Sequence, residues 1–201
     1  MDNSKVIEAK KRFITTHDSQ QELQWIERAK QGDQQAFYHL YQVYHRRIYA
    51  LCWRMLADKD SAEDVCQEVF VQLWQKLNNF RGDSKFGTWL HSVATNVVLG
   101  YLRKNKNWLQ RVFSLEEKYV KEPVEMPEIE NATRPSELDL HIAKLPERAR
   151  LVFVLFAIEG YRHEEIAQML SMAVGSSKSQ YHRAKTLLKA WLTREGVCDG
   201  D

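Results

Sequence analysis

Proline and glycine are scarce in this chain, four and eight in 201 residues, about half of average usage. So few backbone breakers exclude collagen-like and turn-rich architectures and predict an all-α protein. Long apolar runs are also missing. The longest, Leu151 to Ile158, is far short of the roughly 18 residues that a spanning helix needs, so no membrane insertion is expected. The first twelve residues carry Lys5, Glu8, Lys10, Lys11 and Arg12 and no apolar stretch of the kind a secretory signal requires, which predicts a cytoplasmic protein. Cysteine is limited to Cys52, Cys66 and Cys198, with no CxxC and no zinc-finger spacing, so neither disulfides nor a zinc site is expected. Charge of one sign is absent in sum, at +2, and only its distribution can speak about partners.

That distribution is uneven. Asp58 to Glu68 holds five acids and one lysine, whereas Ser84 to Leu115 holds five basic residues and no acid. From Ser114 to Asp139 eight acids face Lys118, Lys121 and Arg134, and Pro123, Pro127 and Pro135 break any helical pattern; this is a linker. Ser176 to Arg194 then carries five basic residues and no acid. Two basic modules are therefore joined by an acidic tether, within the one or two domains that the length allows.

Helix signals divide each module. Ser19 with Glu22 suits a capping box before Leu23, Ile26 and Ala29, Gly32 ends that helix, and Asp33 can cap the next, built on Phe37, Leu40, Tyr41 and Tyr44. Ser61 with Asp64 predicts a third helix to about Phe80. Gly82 and Gly87 bracket a loop before a fourth, from Thr88 to about Lys104. Past the linker, Ser136 and Asp139 open a short helix, Pro146 suits a first helical position, Gly160 closes the Leu151 to Ile158 run, and helices follow over Glu164 to Leu170 and Val174 to about Leu192.

On a helical wheel the third helix sets Ala62, Cys66, Val69, Leu73 and Leu77 against Asp64, Gln67, Glu68, Val71 and Gln75. Val71 within the polar face reads either as an ordinary exposed residue or as part of an acidic, partly apolar docking stripe; the bordering Trp74 favours docking. The fourth helix leaves Ser92, Thr95, Asn96 and Arg103 on a face continuous with Lys104 and Lys106, groups that suit base and phosphate edges. Before it, Asn78, Asn79, Arg81 and Lys85 are interleaved with Phe80, Phe86 and Trp89, a mixture suited to single-stranded DNA by stacking and charge, unless the aromatics are core.

The last two helices have the dimensions of a helix-turn-helix. Val174, Ser177, Tyr181, Ala184, Leu188 and Trp191 form the inner stripe, leaving Lys178, Gln180, His182, Arg183 and Lys185 as DNA readers or as a solvated basic face. Seven scattered histidines make no catalytic constellation, and His163-Glu164-Glu165-Ile166-Ala167 fails the H-E-x-x-H pattern at its second ligand. No enzyme activity, cofactor or metal is expected.

Ala62-Glu63-Asp64-Val65-Cys66-Gln67-Glu68-Val69-Phe70, Phe80-Arg81-Gly82-Asp83-Ser84, Thr88-Trp89-Leu90 and Asn96 resemble region 2 of the extracytoplasmic-function (ECF) sigma factors of bacterial RNA polymerase. Leu145-Pro146-Glu147-Arg148, Glu159-Gly160-Tyr161, Glu164-Glu165-Ile166-Ala167, Val174-Gly175-Ser176-Ser177-Lys178-Ser179 and His182-Arg183-Ala184 resemble their region 4. The resemblance implies an N-terminal extension over 1–20, region 2 over 21–110, an acidic linker over 111–137, region 4 over 138–195 and a tail over 196–201. It implies core RNA polymerase, promoter DNA and an anti-sigma factor as partners. Asp64, Gln67, Glu68 and Val71 would face core polymerase. Residues from Asn78 to Phe86, with Trp89, Ser92, Asn96, Arg103 and Lys104, would engage and melt the minus-ten element. Ser176, Lys178, Gln180, His182, Arg183 and Lys185 would read the minus-thirty-five element. A helix-turn-helix regulator that is not a polymerase subunit is the alternative. The sequence departs from the family at Arg162, where a Ser or Thr cap is usual, at Ser171 for a turn glycine, at Ser177 for an apolar residue and at Gln180 for a basic one.

Overall fold

The computed structural model describes residues 19–104 and 136–194, and among them every regular element is helical. Four helices form the N-terminal module: α1 (Ser19–Lys30), α2 (Gln34–Leu56), α3 (Lys59–Lys76), which runs into a 3₁₀ turn (Leu77–Asn79), and α4 (Phe86–Lys104). Four form the second: α5 (Glu137–Lys144), α6 (Glu147–Phe153), continued as a π-helical turn (Val154–Ile158), α7 (His163–Met169) and α8 (Val174–Arg194). This is the all-α, two-module architecture that the composition predicts. The expected N-terminal extension, acidic linker and tail lie, apart from their edges, outside the described residues. Among the described residues no helix is long and apolar enough to cross a membrane.

Side-chain caps place the starts of α2, α3 and α5. Asp33 accepts from the amides of Gln35 and Ala36 at 2.9 and 3.1 Å and pairs with Arg28, satisfying donors that have no partner inside α2. Ser136 and Asp139, expected to open a short helix, do so as a capping box at the start of α5. The third helix starts earlier than Ser61: Asp58 is its cap, accepting from the Ser61 amide at 2.9 Å, and the Ser61 hydroxyl is bonded to Tyr101 Oη at 2.9 Å. An extended residue with an acceptor side chain is what a cap needs, and Asp58 meets this three residues before Ser61. Helix α4 likewise starts earlier, at Phe86, with Gly87 in its first turn against the Tyr44 ring, where a Cβ would stand 3.2 Å from Tyr44 Cε1. Burial and the Glu22 carboxylate, which accepts from Tyr44 Oη at 2.5 Å, push that phenol's pKa up.

The cores are apolar and continuous. Leu40, Ile48, Leu51, Leu73, Leu90 and Leu99 are fully buried in the first module, and Ile142, Leu145, Leu151 and Ile166 in the second. Cys52 and Cys66 are free, buried thiols. The modules also touch. Arg150 of α6 is buried and donates from Nε to Met55 O at 3.2 Å and from Nη2 to Leu56 O at 3.3 Å, while Nη1 holds Ala143 O and Leu145 O of its own module. Beside it Arg54 pairs with Asp139 at 2.6 Å, and His91 Nδ1 lies 2.9 Å from Glu159 Oε2.

Candidate functional site

The outer face of α3 carries Asp64, Gln67 and Glu68 in solvent, with Val71 51% and Trp74 39% exposed. Helix α2 extends this face with a residue that the periodicity did not single out, Tyr38, 52% exposed. Its ring stacks on Tyr41 at 6.4 Å, Tyr41 meets Phe70 edge-on at 4.7 Å, and Phe37 meets Trp74 edge-on at 4.8 Å. The half-buried rings of Tyr41 and Phe37 thus link exposed Tyr38 of α2 and exposed Trp74 of α3 across the two helices, and Val71 is exposed on the α3 side. Among the described residues only Leu23 and Leu138 are large apolar side chains of comparable exposure. The sole sequence signal for Tyr38 was an aromatic out of phase with its helix's inner stripe. A gathered apolar patch beside carboxylates marks a protein-docking surface better than any single exposed residue.

The second surface surrounds the start of α4. Asn78, Asn79, Arg81 and Lys85 are exposed on the 3₁₀ turn and the loop after it. Phe86 is not: it is 2% exposed, packed edge-on against Tyr44 at 5.4 Å and Phe80 at 5.2 Å. As placed it cannot stack on a base and belongs to the core, because the helix starts early enough to turn it inward. Trp89, half-buried on Phe80 and Phe86 at 5.3 and 5.9 Å, retains an open edge. Ser92, Asn96 and Arg103 follow it at spacings of three, four and seven, with Lys104 beside Arg103 at the helix end. Thr95 is fully buried, so it leaves the polar face to which its spacing assigned it. His91, not singled out in the sequence, lies on this helix with Glu159 of the other module against it.

The third surface is α8. Ser176, Lys178, His182 and Lys185 are exposed, whereas Gln180 and Arg183 are half-buried. Gln180 Oε1 is buried without a hydrogen-bond partner among the described residues, which turns part of this amide away from solvent. Lys185 Nζ lies over the Tyr181 ring at 5.7 Å. In the turn before α8, Ser171 itself takes the left-handed conformation, φ 51°, which glycine adopts without a Cβ penalty. Arg162 gives α7 no side-chain cap, but its amide donates to Glu165 Oε2 at 2.7 Å. Both departures from the family pattern leave the helix-turn-helix intact.

Two family descriptions match the chain: Sigma-70 region 2 over residues 40–107 and Sigma-70, region 4 over residues 136–188. The chain is 32% identical over 177 residues to the ECF RNA polymerase sigma factor SigW of Bacillus subtilis (strain 168), covering 83% of this chain and 94% of that relative. It is also 32% identical over 172 residues to the ECF RNA polymerase sigma-E factor of Escherichia coli (strain K12), covering 80% and 88%. In fold it is similar to the sigma factor RpoE solved in complex with the anti-sigma factor NepR from Bartonella quintana, with a TM-score of 0.51, 20% identity, and coverage of 78% and 96%.

Proposed function

The chain belongs to the ECF sigma factors, which bind core RNA polymerase and direct promoter-specific initiation of transcription, and we propose which of its surfaces do so. Asp64, Gln67, Glu68 and Val71, extended by Trp74 and Tyr38, dock on core polymerase. The observation that carries this assignment is the convergence of Tyr38, Val71 and Trp74 beside the carboxylates of α3. A helix-turn-helix regulator acting alone has no use for such a face.

For DNA, Asn78, Asn79, Arg81 and Lys85, with Trp89, Ser92, Asn96, Arg103 and Lys104, form the surface for the minus-ten element, and Phe86 supports Trp89 from beneath. Exposed cations and amides around one half-open indole suit an unpaired strand, where stacking is tolerant of sequence and charge follows the backbone. Ser176, Lys178, His182, Arg183 and Lys185, with the exposed part of Gln180, form the surface for the minus-thirty-five element, entering the major groove as the second helix of a helix-turn-helix does. Region 2 is assigned to 21–110 and region 4 to 138–195. An anti-sigma factor is inferred as a further partner, and the work of the protein is placed in the cytoplasm, without catalysis of its own.

The test is run-off transcription with purified core polymerase. Charge reversal of Asp64 and Glu68 together should weaken core capture at least about tenfold, the effect expected when charges in an interface meet the wrong sign, with an unchanged circular dichroism spectrum. Undiminished capture by the double reversal would remove this face from the interface.

A further inference from the structure

The helix-turn-helix is joined through a polar contact at a place where an apolar one is usual. Ser177, in the first turn of α8, is fully buried, and its hydroxyl lies 2.9 Å from Nδ1 of His163, the first residue of α7. The imidazole lies flat on Phe156, ring centroids 4.2 Å apart and planes at 14°. Phe156 belongs to the π-helical turn, and Tyr181, one turn beyond Ser177, closes on Phe156 at 4.5 Å and on His163 at 5.9 Å. His163 is therefore wedged between the π-helical turn and the first two turns of α8.

Such a contact does something that apolar packing does not. Two methyl surfaces slide past one another at little cost, but a hydrogen bond weakens steeply with distance and angle, and a buried hydroxyl left without a partner is expensive. The Ser177 bond therefore selects one rotation of α8 about its axis. Ser176 and Lys178 are the flanking residues, both exposed, and on a helix they project about 100° to either side of Ser177. Any roll of α8 displaces both. Burial, and then the Lys178 charge, lower the His163 pKa, so the ring is neutral near pH 7 and can pair with the hydroxyl in either tautomer.

We infer that His163 is a positioning residue for base recognition: by bonding Ser177 and stacking on Phe156 it sets the roll and insertion depth of the first turn of α8, and so the base pairs that Ser176 addresses and the phosphate that Lys178 holds beside them. This rests on the assignment of α8 to the upstream promoter element.

The experiment assembles holoenzyme from core polymerase and the full chain, selects bound duplexes from a promoter library randomised across the upstream element, and sequences them. His163→Phe keeps the stack and removes the bond; Ser177→Ala removes the other half; the double variant makes an apolar pair; His163→Asn places a polar atom near the Nδ1 position without the ring. The two single variants should each change relative enrichment at one or two base pairs by roughly fivefold or more, the lower end of what one good base contact contributes. The double variant should regain thermal stability yet keep the altered profile, and His163→Asn should stay close to wild type. A wild-type profile in His163→Phe, or in the double variant, reduces His163 to a structural role and overturns the proposal. So does a His163→Asn profile as altered as that of His163→Phe. If Lys178→Ala and Arg183→Ala leave upstream-element binding untouched, the assignment of α8 to DNA itself fails, and the inference falls with it for that separate reason.

Discussion

The Arg150 guanidinium hydrogen-bonds the carbonyl of Met55, 95 residues earlier in the chain. Helix α2 ends at Leu56, after which Ala57 turns left-handed at φ 51°, so the last carbonyls of the helix have no amide to meet. Arg150 from the other module supplies the donors. With Arg54 to Asp139 and His91 to Glu159, it draws the two modules together. The minus-ten and minus-thirty-five elements lie about 25 base pairs apart, roughly 85 Å along a duplex. On the proposed assignment of one module to each element, modules in direct contact could not occupy both, and the contact is expected to open in the initiating complex.

Arg150→Met removes the donors and keeps an apolar stem of similar reach. Two fluorophores, one on the exposed face of α3 and one on α8, should report a greater separation in the free variant than in the free wild type. Thermal unfolding should show a loss of about 1 to 3 kcal/mol, the cost of leaving buried carbonyls unpaired. Equal separations in the two proteins would show that Arg150 does not hold the modules.

The ion pair between Arg54 and Asp139 makes part of the contact depend on acid. Burial works to raise the Asp139 pKa, but the hydrogen bonds from Arg54 and Ser136 outweigh it and hold the carboxyl below its usual value. A depressed folded pKa means that the stabilisation is full above the unfolded value of about 3.9 and is lost as pH falls through the lower folded value. The stability difference between wild type and Asp139→Asn should therefore be largest near neutrality and shrink below about pH 4. A difference that is flat across this range would show that the charge on Asp139 contributes nothing.

Tyr38 tests the docking surface from the helix on which no acid was assigned. Tyr38→Ala and Val71→Asp should each weaken capture of core polymerase by about tenfold, as loss of one well-packed interface residue does, while melting within about 1 kcal/mol of wild type, since exposed positions carry little stability. If Val71→Asp weakens capture and Tyr38→Ala does not, the interface is confined to α3.

On α8 the two kinds of contact separate by their response to salt. Lys178→Ala should weaken holoenzyme binding to all upstream sequences similarly and lower the salt slope by about one. Gln180→Ala should relax preference at one base pair by about 1 to 3 kcal/mol. An unchanged preference profile in Gln180→Ala would assign this half-buried amide to packing alone.

The helices were legible because their signals are local. Asp33, Gly32, Ser136 and Asp139 act on backbone groups within a few residues of themselves, and the inner stripes of α3 and α8 repeat at the helical period, which any chain of that pattern must bury. The acidic and basic blocks likewise followed from composition alone, while the partners they meet came only from the family resemblance that the motifs carry. What periodicity could not supply was the neighbour of each side chain. Phe86 and Thr95 are buried, and Tyr38 is exposed, because of how α2, α3 and α4 pack, and a helical wheel carries no information about the second helix. Ser177 occupies an inner position despite its hydroxyl because His163, on another helix, provides the partner that makes its burial tolerable. Arg150 stood in the sequence as one more cation; only the ending of α2 beside it, with carbonyls that nothing local could satisfy, made it the link between the modules.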